Sequence, residues 1–197
     1  MKVAAIITIG DYHPMLEECL VSISKIAELY IRIDGSAKPM PNGLIDNIHP
    51  QKVILTSAKW DRGNFREDAL RMLDDVKPDI VLQPDHDEIF DGKLELEEFM
   101  ASPYEMMFFD YFYPMPTDDG RDIPELKGKP YPSLPHCKAF KWRQGLSFAP
   151  YMGLAQPTQY ANKPYFRSKV KIKHYTMWTK DMEEAKKEWV IKEYGIF

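Results

Sequence analysis

The sequence predicts an α/β fold in which a mixed, mostly parallel sheet is flanked by helices within a single domain. Short, continuous apolar runs alternate with segments of helical periodicity over residues 1–92, which is typical of strands buried on both faces. Polar clusters directly follow several of these runs, at the positions where buried strands would end. The resulting β-α-β-β-α-β order favours a parallel sheet with helices on both sides.

The first half contains four predicted strands, each an apolar run of suitable length, at 3–9, 29–33, 52–56 and 79–83. Helical spacing of apolar residues predicts two helices, at 13–27 and 64–76. Pro14 suits the first turn of the first helix. Asn64 is the predicted N-cap of the second helix, and Glu67 is the predicted partner of a capping box.

The second half, 93–197, is expected to form the acceptor side of the same domain. Its predicted elements are a short acidic helix at 93–101, strands at 104–113, 137–142 and 165–175, and a closing helix at 179–194. The long proline-rich loop at 114–135 indicates a functional or mobile segment. Because no linker-like stretch separates the halves, the expected organisation is one domain, 1–197.

Composition excludes several classes of protein. The chain has 197 residues and a net charge of −4, which disfavours nucleic acid as an obligatory partner. Cys19 and Cys137 match no metal-binding spacing and are expected to be reduced thiols. No apolar segment approaches the length of a membrane span, and the N-terminal run lacks a cleavage site, so a soluble cytoplasmic protein is expected.

The stretch Asp85-His86-Asp87-Glu88 directly follows the predicted strand 79–83. Carboxylates on alternate residues repel each other unless a positive charge lies between them. An oxygen-only pair suits Mg²⁺ or Mn²⁺, which retain open positions for phosphate oxygens. The alternative is a solvated acidic turn. If the stretch continues the strand, His86 points away from the two aspartates.

Four polar segments are expected to meet at one edge of the sheet, because ligands bind outside the carboxyl ends of parallel strands. They are Asp11, Asp34, 59–66 and 85–88. Arg62 and Arg66 can bind phosphate through two hydrogen bonds each, and the amides at the start of their helix form a further anion site. Asp11 is equally suited to capping the first helix.

In their order along the chain, these motifs resemble the GT-A glycosyltransferases, in particular small family 2-like members with a DxD motif. The resemblance covers 1–92 and the segment around His174. The donor-site residues that it implies are Thr8, Asp34, Lys59, Arg62, Arg66 and Asp85, and the metal ligands that it implies are Asp85, Asp87 and His174.

The activity that the resemblance implies is metal-dependent transfer of a sugar from a UDP- or GDP-sugar to an acceptor hydroxyl, with inversion and with Mn²⁺ or Mg²⁺ as the ion. The acceptor is a glycan, a small molecule or, less favoured, a hydroxymethylated base in DNA. A nucleotidyltransferase and a non-catalytic nucleotide-sugar-binding module are the alternatives. The former is disfavoured because no glycine-rich phosphate loop follows the first strand.

An inverting transferase needs a carboxylate base. Asp110 is favoured because its context is the least exposed, although it also fits a solvent-facing strand position. The other candidates lie on the long loop and are Asp118, Asp119, Asp122 and Glu125.

The segment 163–173 is rich in lysine and has no acidic residue. With Lys138, Lys141 and Arg143 it can form a basic face for a polyanionic acceptor. The favoured interpretation is a solvated edge strand that its lysines protect from pairing.

Overall fold

The structure is a computed structural model that describes residues 1–10, 13–34, 43–56, 62–112, 135–148 and 156–175. It describes the backbone alone at Asp34, Thr56 and 62–65. Several sequence predictions lie outside the described residues. These are Asp11, Lys59, residues 114–134 of the long loop with its four acidic candidates, and the closing helix at 179–194.

The described strands, in chain order, are β1 (Val3–Ile9), β2 (Glu28–Asp34), β3 (Lys52–Thr56), β4 (Ile80–Leu82), β5 (Glu88–Asp91), β6 (Met106–Phe109), β7 (Tyr111–Phe112), β8 (His136–Lys141), β9 (Phe166–Arg167) and β10 (Lys171–His174). The α-helices are α1 (Leu16–Ser24), α2 (Arg62–Arg71) and α3 (Leu96–Ala101). Short 3-10 helices occupy Asp46–Ile48 and Thr158–Tyr160.

Seven strands form the main sheet in the order β3-β2-β1-β4-β8-β6-β9. The first four are mutually parallel, so their carboxyl ends share one edge. Strand β8 runs antiparallel to both β4 and β6, which brings its first residues and the end of β6 to that same edge. The predicted mixed, mostly parallel α/β sheet is confirmed.

Helices cover both faces of this sheet because alternate strand residues point to opposite sides. Ile7 of β1 packs in the core beneath α1, whereas Ile6 packs with residues of α2 on the other face. Ile7 is fully buried, and burying a side chain of that size contributes about 2–3 kcal/mol. None of the described helices is long and apolar enough to cross a bilayer.

A second, three-stranded sheet of order β5-β10-β7 lies beside the first. The sequence did not predict β5. It also predicted single strands at 104–113 and 165–175, and each of these divides between the two sheets. A continuous aromatic or alternating run has the same sequence pattern whichever sheet it joins. The sequence around Asp110 therefore does not show that β6 ends there and β7 begins in the other sheet.

Helix α2 begins at Arg62, so the prediction of Asn64 as its N-cap is wrong. Glu67 accepts hydrogen bonds from the Phe148 amide at 2.9 Å and from Arg71 Nε at 3.0 Å, instead of closing a capping box. The partner amide is distant in sequence, which local spacing cannot reveal. Helix α1 likewise begins only at Leu16, so Pro14 precedes its first turn.

Candidate functional site

Residues Asp85 to Glu88 form a tight turn between β4 and β5. The Glu88 amide donates to the Asp85 carbonyl at 3.3 Å, and the Glu88 carboxylate accepts from the Asp85 amide at 2.9 Å. The turn is therefore acidic but not solvated, since Asp87 and Glu88 are buried. The expectation that strand alternation turns His86 away rests on a wrong premise, because Asp85, His86 and Asp87 precede β5 and are not part of a strand.

Lys138 of β8 is the principal counter-charge of this turn. Its ammonium lies 2.7 Å from Asp85 Oδ2 and 2.9 Å from Glu88 Oε1, and the residue is only 1% exposed. The antiparallel pairing of β8 with β4 causes this contact, because it places the start of β8 beside the end of β4. Lys138 therefore does not belong to the surface basic face that was the less favoured interpretation of the sequence.

Arg66 of α2 supplies a second cation to the same carboxylate. Its guanidinium lies 3.7 Å from Asp85 Oδ1, and its side chain remains 23% exposed. Burial would raise the pKa of Asp85, but Lys138 and Arg66 outweigh it and hold that pKa well below the usual carboxyl range. Asp85 is thus an ionised group at the end of the parallel strands, held between two cations.

Glu88 is the most enclosed acid of the turn, at 1% exposed. Burial and the charges of Asp85 and Asp87 raise its pKa to about 7, against the opposing effect of Lys138. The Tyr111 hydroxyl donates to Glu88 Oε1 at 2.5 Å. With the backbone bond to Asp85, both oxygens of Glu88 have partners within the protein.

Asp87 meets His174, which the second sheet positions. His174 lies opposite Glu88 in the β10–β5 register, and its Nε2 is 3.6 Å from Asp87 Oδ2. The Tyr175 amide donates to the Asp87 carbonyl at 3.0 Å and so fixes the turn against β10. Burial would raise the pKa of Asp87, but neighbouring histidines, His174 foremost, keep it below its ordinary value.

Ligand atoms of Asp87, Glu88 and His174 all lie within 4.8 Å of one another. Adjacent ligands of one divalent ion are about 3–3.5 Å apart when each bond is near 2.1 Å, so the 3.6 Å between Asp87 and His174 fits such an ion. Two buried groups of oxygen and imidazole type are a suitable donor set. Asp85, the other expected ligand, lies against Lys138 instead.

The remaining expected donor-site residues are described to different extents. Thr8 is buried near the end of β1, opposite Arg32 of β2, whose Nε lies 3.4 Å from an oxygen of Asp68 in α2. Asp34 ends β2 at the shared edge, and Arg62 begins α2; the backbone alone is described for both.

Asp110 lies between β6 and β7, and its carboxylate accepts from Arg167 at 2.8 and 2.9 Å. Both side chains of this ion pair are partly exposed to solvent, Arg167 at 59% and Asp110 at 38%. Its neighbour Tyr111 reaches the acidic turn through its hydroxyl, whereas the Asp110 side chain contacts β9. The structure thus brings Asp85, Asp87, His174 and Arg66 into one cluster, and it holds Asp110 in a separate ion pair.

The lysine-rich segment 163–173 does not form a single solvated edge strand. Of its two strands, β10 lies in the centre of the second sheet, and β9 lies at one edge of the first sheet. Arg167 pairs with Asp110, and Lys173 pairs with Asp91 at 2.8 Å. Lys141 donates to the carbonyl of Ser102 at 2.7 Å, and Arg143 pairs with Glu105. Four cations of the suggested basic face, Lys138, Arg143, Arg167 and Lys173, are therefore paired with carboxylates.

Three residues of the site were not identified from sequence. They are Lys138, Tyr111 and His136, whose ring stacks on Tyr111 at 4.4 Å between centroids. Burial, with Lys138 beside it, lowers the pKa of His136 to about 4, so this imidazole is neutral at pH 7. A usable signal existed for Lys138 alone: a single lysine between apolar neighbours, Cys137 and Ala139, in a short strand.

No family model and no curated protein matches the sequence. Among solved structures, S. aureus TarS matches with 15% identity and a TM-score of 0.42 over 64% of this chain and 23% of its own. TarS 1-349 in complex with UDP matches with 17% identity and a TM-score of 0.41 over 63% and 38%. HddC from Yersinia pseudotuberculosis matches with 7% identity and a TM-score of 0.42 over 94% and 99%.

The chain therefore spans about a quarter to two fifths of the length of the TarS structures. A Rossmann-like sheet of order β3-β2-β1-β4, with antiparallel β8 beside β4 and a second small sheet, gives the chain a GT-A-like fold.

Proposed function

We propose that this protein is a glycosyltransferase that takes a sugar from a nucleotide-sugar donor. The observation that carries the proposal is the meeting of a buried acidic turn, Arg66 and His174 at the carboxyl end of four parallel strands. Ligands of open α/β sheets bind at this end. A site with carboxylates for a cation and a guanidinium for phosphate suits a donor whose leaving group is a nucleoside diphosphate.

Arg66 is the described side chain best placed to hold the diphosphate. It is partly exposed, its contact with Asp85 is 3.7 Å long, and a guanidinium has five N–H donors, so the same group can also donate to a phosphate. Asp85 keeps the guanidinium oriented in the absence of donor. Arg62 at the start of α2, Asp34, Thr8 and Lys59 remain the proposed further contacts of the nucleotide.

Asp87 and His174 are the residues that would hold a divalent ion, with Glu88 close behind them. Such an ion, when bound, stabilises the negative charge that develops on the leaving diphosphate. A ligand set with an imidazole favours Mn²⁺ over Mg²⁺, which prefers oxygen alone. Tyr111 and Lys138 keep Glu88 oriented beneath the pair.

Asp110 remains the proposed base for an acceptor hydroxyl. Arg167 holds its carboxylate at a partly exposed position, where an acceptor can approach. The acceptor that we favour is a glycan; the less favoured acceptors are a small molecule and a modified DNA base. Attack by a hydroxyl on the face opposite the diphosphate would invert the configuration.

Thermal-shift measurements with UDP-, GDP- and CMP-sugars, each with Mn²⁺ or with EDTA, test the donor site. A ligand at one hundred times its Kd stabilises the native state by about 2.7 kcal/mol. This corresponds to roughly 5–10 °C in a chain of this size. We expect one nucleotide class to produce the shift, larger with Mn²⁺. No shift with any of them would reject the donor site.

Turnover separates the alternatives. A glycosyltransferase releases nucleoside diphosphate from the donor. Release is slow when the sugar is transferred to water and faster when it is transferred to an acceptor. A nucleotidyltransferase instead releases pyrophosphate from a nucleoside triphosphate and a sugar phosphate, and a binding module releases neither. Asp87→Asn should abolish diphosphate release. Asp74→Asn, the same change at a residue that pairs with Arg71 at the end of α2, should leave it unchanged.

A further inference from the structure

We propose that the β9 edge of the main sheet carries a subsite for an acceptor glycan, in which a sugar ring stacks on Tyr165 beside the ion pair of Asp110 and Arg167. The inference rests on the proposed function, since it concerns the acceptor of the same reaction and the path of its chain over the protein. We call this surface the aromatic strip, and it consists of Phe108, Asp110, Tyr165 and Arg167.

The strip is formed by side chains of the neighbouring parallel strands β6 and β9. Phe166 packs against the core, so Tyr165 and Arg167 on either side of it point to the opposite face of the sheet. There the ring of Tyr165 stacks on Phe108 at 4.1 Å between centroids. Two residues further along, Arg167 Nη2 donates to both carboxylate oxygens of Asp110 at 2.8 and 2.9 Å.

Tyr165 offers a supported aromatic surface. The planes of the two stacked rings differ by only 25°, so Phe108 covers one face of the tyrosine ring. Tyr165 nevertheless remains 40% exposed, which is unusual for so large an aromatic side chain already packed against another ring. A rigid ring of this kind can pack against the apolar face of a sugar, and little side-chain entropy is lost on binding.

The strip leads from the proposed base away from the donor site. Asp110 follows β6 at the edge where the parallel strands end, and the next residue, Tyr111, contacts Glu88 of the acidic turn. Tyr165 precedes Arg167 by two residues, which is about 6.6 Å along a strand. This spacing is comparable with the length of one sugar unit. An acceptor hydroxyl at Asp110 would therefore place the next sugar of its chain on Tyr165.

The charges of the strip favour a glycan over a nucleic acid, although a base could also stack on the ring. The strip holds one cation and one anion, and these pair with each other. It therefore lacks the excess of positive charge that a phosphate backbone requires, in a chain whose net charge is −4. Sugar hydroxyls need no such excess, because they can accept from the N–H groups of Arg167 beyond Nη2.

The test is binding of the full chain to a printed glycan array, without donor. Calorimetry then compares the strongest-binding oligosaccharide with the monosaccharide of its non-reducing end. We expect the wild type to bind the oligosaccharide about 3–10-fold more tightly than the monosaccharide, which is the range of a single aromatic contact. A lack of binding to every glycan of the array would overturn the inference.

Tyr165→Leu and Tyr165→Phe are a matched pair of variants. Leucine keeps an apolar cover over Phe108 but removes the flat ring, so it should bind the two sugars with equal affinity. Phenylalanine keeps the ring and should preserve the preference to within about twofold. Val53→Ala is the control at the opposite edge of the sheet, since Val53 is 39% exposed, and it should bind as the wild type does.

Two results with these variants would contradict the proposal. One is a Tyr165→Leu protein that keeps the preference for the oligosaccharide, because the ring would then not contact the sugar. The other is a thymidine decanucleotide that binds more tightly than any glycan and loses this affinity in Tyr165→Leu. The ring would then be a platform for nucleobases instead of sugars.

Failure of this inference differs from failure of the proposed function. Release of nucleoside diphosphate from the donor to water needs no acceptor, so it tests the transferase proposal by itself. If the donor is hydrolysed and glycan binding does not depend on Tyr165, the subsite is wrong and the transferase proposal stands. If glycan binding depends on Tyr165 and no nucleotide-sugar is bound or hydrolysed, the subsite stands and the transferase proposal does not.

Discussion

Replacing Tyr111 with phenylalanine removes one buried hydroxyl and leaves the ring in place. The hydroxyl donates to Glu88 Oε1 at 2.5 Å, and Tyr111 is buried, so water cannot readily substitute for it. The ring contacts, including the stack on His136, persist with phenylalanine. The substitution therefore isolates a single hydrogen bond to the carboxyl group at the centre of the site.

The magnitude follows from the charge of the acceptor. A hydrogen bond to an ionised group contributes about 1.5–3 kcal/mol, and a neutral one about 0.5–1.5 kcal/mol. Because Lys138 still contacts the same oxygen, the lower part of the first range applies. We expect Tyr111→Phe to lower the free energy of unfolding by about 2 kcal/mol at pH 8.5, where Glu88 is ionised. At pH 6, below its pKa of about 7, the loss should be about 1 kcal/mol.

Urea denaturation at the two pH values measures both losses. At pH 8.5 the expected loss corresponds to roughly 4–8 °C in Tm for a chain of this length. Tyr165→Phe is the control, since Tyr165 is 40% exposed and stacks on Phe108 at the surface. Its effect should stay below about 0.5 kcal/mol at either pH.

The sign of the pH dependence is the sharpest part of this prediction. The bond from Tyr111 stabilises the ionised form of Glu88, so its loss raises the pKa of Glu88 further and costs most where the wild-type group has lost its proton. A loss that is equal at both pH values, or larger at pH 6, would refute the reasoning. So would a Tyr111→Phe protein as stable as the wild type.

Three further outcomes are expected. Arg66→Ala should weaken nucleotide-sugar binding about 10–100-fold, and Arg66→Lys should restore part of it; titration calorimetry measures both, and undiminished binding would remove Arg66 from the donor site. Asp110→Asn should lower kcat at least 100-fold while Tm changes little, because its pair with Arg167 is exposed; a retained kcat would exclude Asp110 as the base. His136 has a depressed pKa, so its neutral form stabilises the native state above pH 6.5 and this contribution is lost as the pH falls to about 4. Wild type and His136→Gln should therefore converge in denaturation midpoint between pH 6.5 and 4, and a constant difference would contradict this.

Strands β1 to β4 were predicted to within two residues at each end, because each is a short apolar run bounded by polar residues. The acidic turn and Arg66 were identified for a related reason: both follow such runs, and parallel strands bring their ends together. The predictions failed where a partner is distant in the chain. Asn64 was taken for an N-cap because the amide that binds Glu67, that of Phe148, lies far along the sequence.

Lys138 shows the same limit at the site itself. In sequence it is one lysine among several, and its burial depends on the antiparallel placement of β8 beside β4. The order of strands within a sheet depends on the packing free energy summed over many residues. The spacing of apolar residues in a single strand therefore does not reveal which strands will be its neighbours.

The sequence by itself determined the α/β class, the four parallel strands and the cluster of polar groups at their carboxyl ends, because apolar period and strand-end polarity are local properties. Tertiary structure alone decided which side chain lies against each carboxylate there. Asp85 lies against Lys138, Asp87 against His174, and Glu88 against Tyr111. Each of these contacts joins the turn between β4 and β5 to a strand that lies elsewhere in the chain. A Coulomb interaction or a hydrogen bond depends on distance in space, which only the fold sets.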